Sequence, residues 1–137
     1  MNTQIAALTA IQGLQAILEN PLVESTKLEE FTNHFFAPGI YVRTLFIPAG
    51  YILVGRRHRH ETLNLLLKGE VAIINDKGEK VYAKAPLIFV AQPGQKAGVA
   101  VTDVWYATVH SNPYDLRDID QLEKEMLYPE EHILEVI

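Results

Sequence analysis

Between Gly39 and His110 the chain is divided by glycine, proline and acidic turns into eight short segments rich in β-branched and aromatic residues. No segment there is long enough for a helix layer, so the middle of the chain must bury its apolar faces by stacking short strands. The pattern predicts strands at Ile40–Ile47, Tyr51–Gly55, Thr62–Lys68, Glu70–Asn75, Lys80–Ala83, Leu87–Ala91, Gly98–Val101 and Val104–His110. Pro48-Ala49-Gly50, Asp76-Lys77-Gly78 and Gln92-Pro93-Gly94 are the clearest turns between them. Strands of this length and spacing imply a mainly β protein, a small antiparallel barrel or jelly roll.

Helical patterning flanks the strands. Ile5, Leu8, Ile11, Leu14, Ile17 and Leu18 lie on one stripe, which Asn20-Pro21 ends, and a short helix is expected around Ser25–Phe31. After Asn112-Pro113, Leu116, Ile119, Leu122, Met126 and Leu127 recur on one side of a second helix, with Asp115 or Asp118 as its cap and Pro129 as its stop. The chain of 137 residues is therefore expected to be one domain, with a helical arm at 1–38, a barrel at 39–112 and a helix with an apolar tail at 113–137. The N-terminal stripe and the tail Ile133–Ile137 are candidate interface elements of a homo-oligomer.

Composition narrows the function. The formal net charge of -5 argues against a nucleic-acid surface, even though Arg56, Arg57 and Arg59 cluster locally. With no cysteine, any metal must be held by nitrogen and oxygen. No apolar run is long enough to span a membrane and no cleavable leader pattern opens the chain, so a soluble cytoplasmic protein is expected.

Chemistry concentrates in 55–69. His58 and His60 are two apart between segments read as strands, and strand alternation would send both imidazoles into one cavity, where they could share a metal ion. Two ligands bind weakly, so a third donor is needed, with Glu61, Asn64, Gln95 and His110 as candidates. The competing reading is a pair of histidines hydrogen-bonded in the barrel mouth. Asn64 is the one polar residue inside Leu63–Leu67 and needs a partner if buried. His110 either enters the cavity or caps the following loop. Arg56 and Lys96 could receive an anionic group at the mouth, against the alternative of solvated cations. Tyr41, Tyr51, Phe46, Phe89, Trp105 and Tyr106 are expected to fill the core, and His34 and His132 to lie outside the barrel.

Residues 39–110 resemble the cupin family. Gly50, His58, His60, the strand Leu63–Leu67 and Gly69 match its first motif, and Pro93-Gly94 matches its second. The resemblance implies a cupin barrel that binds a small molecule, with a divalent metal (Zn, Mn, Fe or Ni) on His58 and His60 and isomerase- or dioxygenase-type chemistry if it is an enzyme. The match is incomplete. The family's glutamate falls on Asn64 or Thr62, leaving Glu61 as the nearby carboxylate, and Gln95 and Lys96 stand near the place of the second-motif histidine. The phrases Phe35–Tyr41, Leu63–Gly69 and Thr108–His110 also resemble small cupin-like proteins of tailed bacteriophages, which would place the chain in a host cytoplasm. The competing class is a non-catalytic oligomeric structural or interaction protein.

Overall fold

The computed structural model describes residues 28–55 and 57–126. A 3-10 turn at Leu28–Phe31 leads into nine strands: β1 Thr32–Ala37, β2 Ile40–Ile47, β3 Ile52–Val54, β4 Thr62–Lys68, β5 Glu70–Asn75, β6 Lys80–Lys84, β7 Leu87–Ala91, β8 Lys96–Ala100 and β9 Val104–Ser111. One helix, α1, follows at Ile119–Met126. The strands form two antiparallel sheets, ordered β1-β2-β9-β4-β7 and β3-β8-β5-β6. They face each other across a core of Ile47, Leu66, Val71, Ala83, Ala100 and Val104.

The expected barrel is present, and the arm expected at 1–38 needs correction at its end. Thr32–Ala37 is not helical: it pairs along its whole length with β2. Every second residue of it is exposed, a period of two that marks a half-buried edge strand. His34, placed outside the barrel by the sequence, is on this strand and shares a 2.6 Å hydrogen bond with the Tyr41 hydroxyl. The N-terminal stripe at Ile5–Leu18, the apolar tail, Pro129 and His132 lie outside the described residues.

The chain passes from one sheet to the other at Gly69, between β4 and β5. This residue has φ +90°, and a Cβ there would stand 2.0 Å from the Asp103 carbonyl oxygen, so only glycine fits. At the other end, Asn112 holds the β9–α1 link by two side-chain bonds to the backbone of Leu116. Asp118 caps α1 by accepting from the amides of Asp120 and Gln121. Asp115, the other expected cap, instead accepts from Gly39 N at 2.7 Å. Leu122 and Met126 then dock on the fully buried Tyr41.

The outer face of the five-stranded sheet is apolar. Register aligns Phe35, Val42, Val109, Leu63 and Val90 in one row across all five strands. Phe46 and Trp105 pair on the same face, both exposed, as is Tyr51 elsewhere, so the expectation that they fill the core is overturned. Their outward parity on β2 and β9 is the reason.

Candidate functional site

A cavity of about 130 Å³ lies between the sheets. Its wall follows from strand register. On β2 the inward residues are Tyr41, Arg43, Leu45 and Ile47, and their β9 partners are His110, Thr108, Tyr106 and Val104. Asn64 of β4 joins the Arg43–Thr108 row. Polarity therefore falls row by row, from His110, Arg43, Thr108 and Asn64 at one end to Ile47 and Val104 at the other. From the second sheet, Leu53, Val71, Ile73 and Ala100 line the wall alongside Lys96.

The loop at 57–61 closes the polar end. His58 exchanges backbone hydrogen bonds with Gly94, His58 N to Gly94 O at 3.0 Å and Gly94 N to His58 O at 3.1 Å. Arg59 N donates to Met126 O at 2.8 Å. The turn at Gly94 has φ +131° and lies so close to the Asp76 carboxylate that a Cβ would clash at 2.8 Å. Asp76 also accepts from Gln95 N, and the Gln95 amide donates to Gly55 O at 2.9 Å. Gln95, buried but absent from this cavity's wall, thus pins the loop and does not face a ligand there.

His58 lines the cavity, whereas His60 and Glu61 are exposed and do not. The expectation that residues 58 and 60 turn to one face is corrected here. Alternation requires a paired strand, and among the described residues between Val54 and Thr62 only His58 is bridged, with the chain bending at 59 and 60. Arg56 lies outside the described residues. Lys96 and Asn64 take the places expected of them in the wall, and His110 enters the cavity and does not cap the loop. The His58 and His110 rings stack with centroids 5.7 Å apart and planes 10° from parallel, and His110 stacks in turn on Tyr41.

These residues fit a metal poorly. Among the described residues no three His, Asp or Glu side chains gather where they could hold an ion.

The Arg43 charge is matched inside the protein. Arg43, buried, donates to Glu123 Oε1 of α1 at 3.2 Å and to the Tyr41 hydroxyl at 3.2 Å. Burial lowers the Lys96 pKa, against the opposing field of Asp76. His110 is pushed down to about 3, first by burial, then by His58, Arg43 and His60. Burial raises the Tyr106 phenol, opposed by its hydrogen bond with Asn64. The buried Asn64 also accepts from the Thr62 hydroxyl at 3.1 Å, so it has internal partners as expected. His110 Nε2 is buried without a hydrogen-bond partner among the described residues.

Sequence reasoning missed Arg43 and Glu123. Arg43 carried a readable signal: it is the one charge on the inward parity of Tyr41, Leu45 and Ile47. Glu123 carried none, because its role depends on where a distant element docks.

No protein-family model matches the chain, and no curated protein matches its sequence. Solved structures do. Salicylate 1,2-dioxygenase from Pseudoaminobacter salicylatoxidans aligns at TM-score 0.56 with 17% identity, over 88% of this chain and 33% of its own. KdgF from Halomonas sp. aligns at TM-score 0.51 with 18% identity, over 75% of this chain and 96% of its own. A cupin superfamily protein from Desulfitobacterium hafniense is also similar, at TM-score 0.49 with 13% identity over 69% of this chain and 87% of its own. Two facing antiparallel sheets, with the His58 loop bridged to the Pro93-Gly94 turn across the cavity mouth, make this a cupin fold.

Proposed function

We propose that the barrel binds one small organic molecule, with its apolar body against Leu45, Leu53, Ile73 and Val104 and its polar group toward Asn64, Thr108 and His110. The observation that carries this reading is the ordered fall of polarity along the β2–β9 register in the wall of the cavity. The volume is of the order that accepts a single aromatic ring. Fold is shared with salicylate 1,2-dioxygenase and chemistry is set by side chains, so no reaction is carried over from that enzyme. Toluene is the simplest probe. Calorimetric titration should detect its binding to the native chain, and Leu53→Trp, which fills the cavity, should abolish it. Heat changes equal in the two proteins would sink the proposal.

Metal-assisted chemistry is the less favoured form of the same reading, since His58 and His110 would need a third donor that the described residues do not gather around them. A second reading, assembly, is supported by the apolar row on the outer sheet face. A second copy packed there would cover Phe35, Leu63 and Val90, exposed on three strands of a face about 20 Å wide. Light scattering should then report a dimer that Leu63→Lys converts to monomer; a monomeric native chain would remove this reading.

A further inference from the structure

Of the two cations in the wall, Arg43 is bound to Glu123, and burial disfavours the charged form of Lys96. A carboxylate entering the cavity would lose its hydration and find Arg43 already paired, which is costly at a buried site. In the wall, His110 Nε2 lacks a hydrogen-bond partner among the described residues, on a residue only 5% exposed. A buried polar atom of this kind is a place where a ligand atom gains a hydrogen bond that water does not already supply.

We infer that the ligand is uncharged and carries a hydroxyl group that bonds His110 Nε2, an alcohol or phenol of about one ring; this rests on the reading of the cavity as a binding site. A hydroxyl both donates and accepts, so it suits either tautomer of a neutral imidazole, whereas a carboxylate or carbonyl suits only the one protonated at Nε2. Burial keeps His110 neutral in the ordinary pH range, so it offers an acid no positive charge. The ring stack with Tyr41 and His58 holds the imidazole in place.

The test compares toluene, benzyl alcohol and benzoate by calorimetry on the full chain at neutral pH. Native protein should bind benzyl alcohol at least tenfold more tightly than benzoate. His110→Phe preserves the stacked ring and deletes the nitrogen, so the ratio of alcohol to toluene affinity should fall roughly tenfold, the worth of one neutral hydrogen bond. His110→Gln, which keeps a polar group, should restore part of that ratio. Benzoate binding as tightly as the alcohol, or an unchanged ratio in His110→Phe, overturns the inference and leaves the cavity a ligand site. Absence of binding by all three overturns the cavity reading as well. The benzoate comparison uses native protein alone and stands even if a variant fails to fold.

Discussion

In β4, Thr62, Asn64 and Leu66 are buried while Leu63 and Leu67 are exposed; in the loop just before it, His58 faces the cavity while His60, also two residues on, faces solvent. The difference lies in what holds each backbone. From Leu63 to Leu66, β4 is paired on both sides, to β7 and β9, so its pleat is imposed there residue by residue, up to a register shift at Leu67. The loop is held at separate points, His58 against Gly94 and Arg59 against Met126, with bends between and no ladder. A period of two belongs to paired backbone and not to spacing in the sequence.

The largest expected effect tests the strand side of this contrast. Leu66→Ala removes a side chain 1% exposed and should cost about 2–5 kcal/mol in denaturant unfolding, whereas Leu67→Ala, 41% exposed, should cost under about 1 kcal/mol. Similar losses at both would mean that the alternation is not held in solution.

His110 yields the next effect, through pH. Its folded pKa of about 3 lies below the usual 6.5, so the unfolded chain takes up a proton that the folded one refuses. Its contribution to stability is complete above about pH 6.5 and declines as pH falls toward 3, by roughly 1.4 kcal/mol per pH unit. His110→Phe should flatten the stability profile through that window, and a slope equal to the native one would contradict the buried placement.

Asn64→Leu, smaller again, deprives the Thr62 hydroxyl and the Tyr106 phenol of their partner and should destabilise by about 1–3 kcal/mol. On the loop side, His60→Ala and Glu61→Gln should change stability by no more than about 0.5 kcal/mol. Elemental analysis after growth in replete metal should find far less than one ion per chain in the native protein and both variants. Stoichiometric metal that disappears in His60→Ala would show the loop turning inward after all.

Much of the scaffold was legible. The bounds of β2, β4, β5 and β7 coincide with the predicted segments, because each alternates or runs apolar between clear turn residues. β1 was read as part of a helical arm: its Thr-Asn-His-Phe-Phe-Ala sequence carries no strong period of its own and becomes a strand by pairing with β2. The candidate site was half legible. Asn64 and Lys96 were placed by parity and turn position, and His58 by its motif. His60 and Glu61 were not, since nothing local to them states that the ladder stops at Val54 and resumes at Thr62.

By itself the sequence determined where strands run and which of their faces are apolar, since burial period and turn chemistry are local properties. Tertiary structure alone decided which polar groups meet. Arg43 finds Glu123 across 80 residues, and His58 meets His110 only once β9 lies beside β2 and the loop is tied to Gly94. Such pairings depend on how separate elements dock, a geometry that no spacing within one segment encodes.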